Sequence, residues 1–317
     1  MAASEGAGGW PELLTLGEPL IEFNQTDPNE PRYLQGFGGD TSNAAIAAAR
    51  QGARVGYVTR IGTDAFGDQF AALWQAEGVD LRGVARDPAA HTAVYFVSHG
   101  AQGHTFSYLR AGSAASWMSP ETLPRELLAH CRWLHVSGIS QAIAASACDA
   151  VFAAIGIARA AGARISFDSN LRLKLWPLDR ARAVIRATIG LSDLFLPSIE
   201  DARALSGLAD ADAVFDWCLG QGARTVALKL GQDGVLFGSA AGRQSLPGHR
   251  VAAVDATGAG DCFAGALLAR LIAGDSFDAA VRYANAAAAL PTTGFGAVAP
   301  IPRQEQVLAL LAGGVPA

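Results

Sequence analysis

Lysine is scarce in this chain. Only Lys174 and Lys229 occur among 317 residues, and neither follows a glycine. The sequence therefore has no phosphate-binding loop that ends in Gly-Lys, and no GxGxxG follows its first apolar run, which excludes P-loop NTPases and dinucleotide dehydrogenases. The other cations are arginines scattered along the chain. With a net charge of -5 and no Lys/Arg-rich block, a non-specific nucleic-acid surface is also excluded.

Cysteine is equally sparse. The four cysteines form no CxxC pair, and the six histidines show no HExxH spacing, so neither a disulfide framework nor a zinc site is predicted. The first ten residues lack the basic and apolar regions of a signal peptide, and the alanine-rich stretch 142–161 is interrupted by Asp149. We therefore expect a cytoplasmic protein with no membrane partner.

Apolar strand-like runs alternate with helical patterns along most of the chain. This βα alternation predicts a parallel sheet with helices on both faces. A composition of 50% hydrophobic and 17% charged residues can bury one large core. Strands are predicted at residues 13–21, 54–61, 79–84, 133–136, 164–168, 193–197 and 225–230, and helices include 66–77, 145–161 and 179–189.

Two segments interrupt the alternation. Residues 22–36 are polar and carry two prolines, and residues 91–112 contain two alternating β-rich runs joined by a glycine turn. We predict one doubly wound α/β domain over residues 1–317, with a small β lid built from about 22–36 and 91–112. A hairpin leaves edge strands and apolar faces exposed, which a homodimer through the lid would cover.

A glycine turn opens a helix in residues 254–268, VDATGAGDCFAGALL. Gly258 and Gly260 let the backbone cluster its N–H groups at the helix start, where an anion such as phosphate binds. Asp261, in the first helical turn, is placed to accept a proton from an attacking hydroxyl, and the positive helix end is expected to keep it ionised. An ordinary turn with an acidic residue favoured by the helix dipole explains the motif alone equally well.

A second glycine turn, at Gly38 and Gly39, feeds an alanine-rich helix that is expected to start at Asn43. The carboxylate of Asp40 and the amide of Asn43 match the hydrogen-bonding pattern of sugar hydroxyls. Helix capping is the alternative for both residues.

Polar residues also follow two predicted strands. Asp168 ends a strand, and the carboxyl ends of parallel strands are where α/β sheets bind ligands. Ser198, Glu200 and Asp201 follow another strand end, where carboxylates could hold Mg²⁺ through water. Helix capping explains the last three equally well.

Arg110 and Arg172 are candidates for binding an anionic group, because the guanidinium fork matches carboxylate and phosphate geometry. Tyr95 and Tyr108, on the predicted hairpin, are candidates for contacting a ligand. Surface exposure of the arginines and simple packing of the tyrosines are the alternatives.

Taken together, GGDTSNAAIAAARQG near the start and DATGAGDCFAGAL near the end closely resemble the ribokinase/pfkB family of carbohydrate kinases. The resemblance spans nearly the whole chain. It implies a ribokinase-like fold, an anion hole at Gly258, Ala259 and Gly260, and Asp261 as catalytic base. It also implies a sugar site beneath the lid, lined by the early motif residues Gly38, Gly39, Asp40 and Asn43.

The same resemblance implies ATP and Mg²⁺ as cofactors and a sugar as substrate. KLGQDG from Lys229 resembles the family's nucleotide-binding strand and turn, and PSIED resembles the family's Asn-x-x-Glu segment for magnesium and phosphate. The residues implied in cofactor binding are Ser198, Lys229, Gly231, Gly234, Thr257 and Asn285, with Asp201 for Mg²⁺ through water and Asp255, beside Thr257, for a monovalent cation such as K⁺.

Within the family, three features are most similar to the 2-keto-3-deoxygluconate kinases: the GGDT form of the early motif, YLRAGSAAS and FDSNLRLKLW. The implied reaction is ATP-dependent phosphorylation of a primary hydroxyl, at the 6-position of 2-keto-3-deoxygluconate. A sugar acid also gives Arg110 and Arg172 a carboxylate to bind. A neutral-sugar or nucleoside kinase, such as a fructokinase or ribokinase, is the first alternative, and a non-catalytic sugar-binding regulator is the second.

Overall fold

The computed structural model describes residues 9–27, 29–100 and 103–313 and contains two sheets in this range. The strands are β1 (Leu13–Leu16), β2 (Leu20–Gln25), β3 (Tyr33–Gly38), β4 (Val55–Gly62), β5 (Val84–Asp87), β6 (Ala93–Gly100), β7 (Gly103–Leu109), β8 (Trp133–Ser137), β9 (Arg164–Asp168), β10 (Leu194–Phe195), β11 (Thr225–Lys229), β12 (Val235–Ser239) and β13 (Gly242–Leu246). The α-helices are α1 (Asp40–Arg50), α2 (Ala65–Ala76), α3 (Arg125–His130), α4 (Gly138–Ala142), α5 (Ala145–Ala160), α6 (Leu178–Ile189), α7 (Ile199–Ser206), α8 (Ala211–Gly220), α9 (Ala259–Ala273), α10 (Phe277–Ala289) and α11 (Gln304–Leu311).

Nine of the described strands form the main sheet, in the order β13-β12-β11-β10-β9-β8-β1-β4-β5. Every pair from β11 to β5 is parallel, whereas β12 and β13 add an antiparallel edge. Side chains alternate between two helix-covered faces, since Leu13 packs into one buried cluster and Leu14 into the other. The predicted α/β class, a doubly wound and mostly parallel sheet flanked by helices, is confirmed.

The lid is a separate four-stranded sheet in the order β3-β2-β6-β7. β6 pairs antiparallel with β7, as the hairpin pattern predicted. β2 pairs antiparallel with β3 and parallel with β6, two pairings that were not predicted individually. The two segments predicted to build a β lid therefore meet in one sheet. Part of the turn between β6 and β7 lies outside the described residues.

The single strand expected at residues 13–21 is wrong. The chain leaves the main sheet after Leu16 and enters the lid at Leu20, because Gly17 and Pro19 turn the backbone between them. A Cβ atom at Gly17 would lie 2.2 Å from Oγ1 of Thr41, so only glycine leaves room for this side chain.

Four other features of the secondary structure differ from expectation. β5 is residues 84–87 and not 79–84, because Asp80 accepts the N–H of Arg82 at 2.9 Å and closes a turn there. α1 begins at Asp40, three residues before Asn43. The start of the motif 254–268 is expected to be the end of a strand, but residues 254–255 lie outside any strand. β12 and β13 were not predicted, since the exposed strand β13, GRQSL, has no apolar alternation.

The two helices that follow the glycine turns, α1 and α9, pack against each other. A Cβ atom at Gly265 would lie 2.3 Å from the carbonyl oxygen of Ala44 and 2.7 Å from Cβ of Ala47. Glycine and alanine therefore let the two backbones approach closely. This contact brings the two motifs to the same edge of the sheet.

The four cysteines are free and buried. Among the described helices, none combines the length and apolarity that crossing a membrane requires.

Candidate active site

The N-terminus of α9 carries the residues predicted to bind phosphate. Gly258 precedes the helix with a φ of 77°, a left-handed conformation that favours glycine. No acceptor within the described part of the chain pairs with the N–H groups of Gly258 and Gly260. Ala259 differs, because its N–H donates to the carbonyl oxygen of Ala256 at 3.2 Å. Two of the three predicted anion-hole amides thus have no acceptor among the residues that the structure describes.

Asp261 lies in the first turn of α9 and is held from α1. The Nδ2 group of Asn43 donates to its Oδ2 at 2.8 Å. Helix capping, the alternative for Asn43, is therefore wrong: Gly39 is the N-cap of α1 and no side chain caps it. The buried Oδ1 atom of Asn43 has no hydrogen-bond partner among the described residues, so it can accept a hydrogen bond from a substrate hydroxyl.

The environment of Asp261 raises the pKa of its carboxyl to about 8. Burial is the main cause, the carboxylates of Asp40 and Asp168 act in the same direction, and Asn43 and Lys229 oppose them. The expectation that the helix end keeps Asp261 ionised is thus wrong in direction. The consequence is a stronger base, since a carboxylate with a raised pKa takes a proton from a hydroxyl more readily.

Lys229 stands beside this helix terminus. A Cβ atom at Gly260 would lie 3.3 Å from its Nζ, which also lies 2.5 Å from Oδ2 of Asp168. The site therefore has a lysine next to the phosphate turn, although the chain has no P-loop. Two signals in the sequence pointed to this lysine: its position at a strand end and the resemblance of KLGQDG to the family's nucleotide-binding turn.

Asp40 is oriented by a residue that the sequence analysis missed. The Nδ2 group of Asn170 donates to its Oδ2 at 2.8 Å, and the N–H of Thr41 donates to its Oδ1 at 2.8 Å. Asn170 has a φ of 29°, a backbone conformation that is strained in residues other than glycine and that recurs at ligand-binding sites. Burial raises the pKa of Asp40. The FDSN stretch contained this residue, but nothing in it indicated a contact with α1.

The lid contributes a hydrogen-bonded Tyr95. Its hydroxyl donates to the buried carboxylate of Glu22, and burial raises the pKa of both groups. A Cβ atom at Gly38 would lie 2.9 Å from the Tyr95 oxygen, so a larger residue there would have to displace the Tyr95 ring. Tyr108 stacks on Tyr95 with ring centroids 5.8 Å apart. Glu22 was not predicted, because it followed an apolar run with no motif around it.

Arg110 is not a free cation. Its guanidinium pairs with Glu18, which is fully buried and also accepts a hydrogen bond from Oγ of Ser113 at 2.9 Å. Burial raises the pKa of Glu18, and Arg110 opposes this shift. The Nε atom of Arg110 is buried without a partner among the described residues. Glu18 was missed, and it neutralises the charge that was assigned to a substrate anion.

Arg172 differs from Arg110. It is exposed, its Nη1 donates to the carbonyl oxygen of Leu171 at 2.9 Å, and it makes no ion pair within the described residues. It follows Asn170 by two residues. A cation without an ion pair in the described ranges therefore lies next to the loop that orients Asp40, and it also acts on Asp201, whose pKa it lowers against the effect of burial.

The capping alternative holds for Ser198, whereas the carboxylate of Asp201 contacts the loop that follows β9. Oγ of Ser198 caps α7 by accepting the N–H of Asp201 at 3.1 Å. Oδ2 of Asp201 accepts hydrogen bonds from Oγ of Ser169 and from the N–H of Leu171, both at 2.9 Å. Burial raises the pKa of the Asp201 carboxyl. In the described ranges, no three His, Cys, Asp or Glu side chains are grouped to hold a metal ion.

The remaining predicted cofactor residues lie in turns, except for Asn285, which lies in α10. Gly231 and Gly234, with φ of 63° and 103°, bound the turn between β11 and β12. Nδ2 of Asn285 donates to the carbonyl oxygen of Pro247 at 2.9 Å. Oδ1 of Asp255 accepts hydrogen bonds from the N–H and the hydroxyl of Thr257, at 2.9 and 2.6 Å. Its Oδ2 accepts a hydrogen bond from the N–H of Gly296 at 3.1 Å.

These features define a class of protein. A buried carboxylate beside unpaired helix-end amides and a lysine, with hydroxyl-binding groups opposite, is suited to phosphoryl transfer onto an alcohol. The profile of the pfkB family carbohydrate kinases matches residues 11–304.

Known proteins agree with this class over nearly the whole chain. The 2-dehydro-3-deoxygluconokinase of Bacillus subtilis (strain 168) is 34% identical over 309 residues, covering 95% of either chain. Fructokinase-1 of Oryza sativa subsp. japonica is 33% identical over 314 residues, covering 94% of this chain and 97% of its own. A solved putative ribokinase II from E. coli, in complex with ATP and Mg²⁺, has a TM-score of 0.88 and 28% identity, covering 96% of this chain and 99% of its own. The chain belongs to the pfkB family of carbohydrate kinases and is an ATP-dependent sugar kinase.

Proposed function

We propose that the protein phosphorylates 2-keto-3-deoxygluconate at its 6-hydroxyl. The observation that carries this choice is Arg172, an exposed guanidinium without an ion pair among the described residues, two positions from Asn170. A sugar acid has a carboxylate that such a cation binds, whereas a neutral sugar has no carboxylate. Similarity to 2-dehydro-3-deoxygluconokinases supports the choice, and similarity to fructokinases at nearly the same identity keeps it a proposal.

The residues present fit ATP. Two unpaired amides at Gly258 and Gly260 and the ammonium group of Lys229 offer donors to phosphate oxygens at the start of α9. When bound, ATP supplies the transferable phosphoryl group, and Mg²⁺ neutralises its charge. Since the described residues include no three-ligand metal cluster, we infer that Mg²⁺ is held mainly by phosphate oxygens, with Asp201 acting through water.

The chain's own residues supply positioning, charge and a proton acceptor. Asn43 and Asp40 bind sugar hydroxyls and turn the 6-hydroxyl toward Asp261. Asp261 takes the proton of that hydroxyl as the oxygen attacks, and the amides of Gly258 and Gly260 stabilise the developing negative charge. The lid, with Tyr95 and Glu22 on its inner side, excludes water from the site.

A fructokinase is the second candidate function. The observation that favours it is the buried ion pair between Arg110 and Glu18, which neutralises the other cation assigned to a sugar acid. Only Arg172 then remains for a substrate carboxylate. The two candidates therefore differ in what removal of Arg172 does.

Arg172→Ala is expected to lower kcat/KM for 2-keto-3-deoxygluconate by about 10- to 100-fold, the worth of a charged hydrogen bond, and to change kcat/KM for fructose and ribose far less. ADP release measured over these three sugars with wild type and variant tests this. Arg203→Ala removes another exposed arginine that donates to one backbone carbonyl, at 2.9 Å, and serves as the control. Equal losses for acid and neutral sugars would reject the sugar-acid assignment. If none of a wider panel of sugars releases ADP, the alternative of a non-catalytic sugar-binding regulator gains support.

We also propose that a second copy of the chain covers the lid. Its exposed apolar side chains include Leu34 and Leu109, which are 64% and 61% exposed. Light scattering is expected to give the mass of a homodimer, and Leu34→Asp with Leu109→Asp is expected to give a monomer. A monodisperse monomer of the wild type at assay concentration would contradict this proposal.

Two further assignments remain proposals. Asp255 and Thr257 are proposed to bind a monovalent cation, which K⁺-dependence of turnover would test. Asn285 is proposed to lie near adenine. A location in the cytoplasm fits four unpaired buried cysteines.

A further inference from the structure

The ion pair between Asp168 and Lys229 is buried at the centre of the site. Asp168 ends β9 and Lys229 ends β11, on either side of β10. Their side chains are only 8% and 15% exposed. Desolvation of two charges offsets much of their attraction, so stability alone is a weak reason for a buried pair at this position.

Both members of the pair are held in place. The N–H of Asn170 donates to Oδ1 of Asp168 at 3.1 Å, while Oδ2 binds Nζ of Lys229. On its other side the ammonium group faces Gly260, where a Cβ atom would lie 3.3 Å from Nζ. Asp168 therefore fixes the ammonium group against the first turn of α9, beside the unpaired amides.

We propose that Asp168 is a positioning residue: its carboxylate holds the ammonium group of Lys229 against the first turn of α9, beside Gly260, and both charges act on the carboxyl of Asp261. The proposal rests on the proposed function only in taking Asp261 as the base. The ammonium group of Lys229 then stabilises negative charge on the transferring phosphoryl group, while Asp168 keeps the lysine side chain oriented.

The charged groups around Asp261 determine the direction of each effect. Asp40 from α1 and Asp168 from β9 raise its pKa, and Lys229 from β11 lowers it. His135 of β8, near the pair, is neutral because burial lowers its pKa to about 4. Removing the charge of Asp168 should therefore lower the pKa of Asp261, whereas removing that of Lys229 should raise it.

The test is the pH dependence of kcat/KM, measured with whichever sugar the wild type phosphorylates best. Asp168→Asn is expected to move the acidic limb down by about one pH unit, and Lys229→Met to move it up by about one unit. Maximal turnover should fall in both, by about 100-fold in Lys229→Met. Lys229→Arg and Asp168→Glu keep both charges and should leave the limb in place while lowering the maximum. Limbs that move in the same direction, or do not move, would overturn the proposal.

A control variant and a second measurement separate the expected shifts of the acidic limb from the effects of misfolding and from a failure of the proposed function. Asp87, 5% exposed in its side chain and paired with Arg60, gives the matched control Asp87→Asn, which should lower Tm without moving the limb. Titration of the Asp261 carboxyl by ¹³C NMR, assigned through Asp261→Asn, should give the same opposite shifts without any turnover. If no sugar is phosphorylated, the proposed function fails, and the NMR shifts alone decide the role of Asp168.

Discussion

Asp261→Asn is expected to reduce turnover by about 1,000-fold, within the range that removal of a general base produces. Asparagine keeps the size of the side chain but cannot accept the hydroxyl proton. Because the phosphate-binding amides and Lys229 are unchanged, ATP binding measured by calorimetry should stay near the wild-type value. A variant with near-normal turnover would remove Asp261 from its role as base.

The same variant should be more stable than the wild type at alkaline pH. The pKa of Asp261 is raised from 3.8 to about 8 in the folded state, so the folded protein binds more protons than the unfolded chain between these values. The wild type therefore loses stability as the pH rises through this range, and Asp261→Asn does not. The difference in Tm should grow from about pH 4 to pH 8. Lost turnover with higher stability at pH 8 would separate a catalytic defect from a folding defect.

Gly265→Ala is expected to destabilise the protein by about 3 kcal/mol, at the upper end of ordinary overpacking, because its Cβ would lie 2.3 Å from the backbone oxygen of Ala44. Neither backbone can yield without separating α1 from α9. Urea denaturation followed by circular dichroism measures this loss. Activity should fall as well, since Asn43 then no longer reaches Asp261.

The matched control is Gly156→Ala, in the middle of α5. Apart from the nearby backbone of α5 itself, no atom of the described residues lies within 4 Å of a Cβ built at Gly156, so alanine should stabilise the helix by about 0.5 to 1 kcal/mol. If both variants change stability equally, the close contact between α1 and α9 is not the reason that residue 265 is glycine.

The elements with strong local patterns were predictable from the sequence. The parallel strands and their helices follow from apolar runs and βα alternation, and the glycine turns marked both motifs. Strand β13 escaped prediction because its sequence, GRQSL, is exposed and held by pairing with β12. Hydrogen bonding to a neighbour leaves no trace in local hydropathy.

The site was harder to predict because its geometry depends on contacts between distant residues. Asp261 was found from its position after a glycine turn, but the rise in its pKa depends on Asp40 and Asp168 and on burial. Glu18 neutralises Arg110 across 92 positions of sequence. The sequence shows which residues are ionisable, but it does not show which of them form ion pairs in the folded protein.

The hydrogen bond from Asn43 to Asp261 joins residues 218 positions apart. During synthesis, the first motif leaves the ribosome long before the second, and the base has no partner until α9 has been made and has docked on α1. Such distant contacts close late in folding. Kinase activity should therefore appear only when the chain is nearly complete, so turnover can report the last stage of folding.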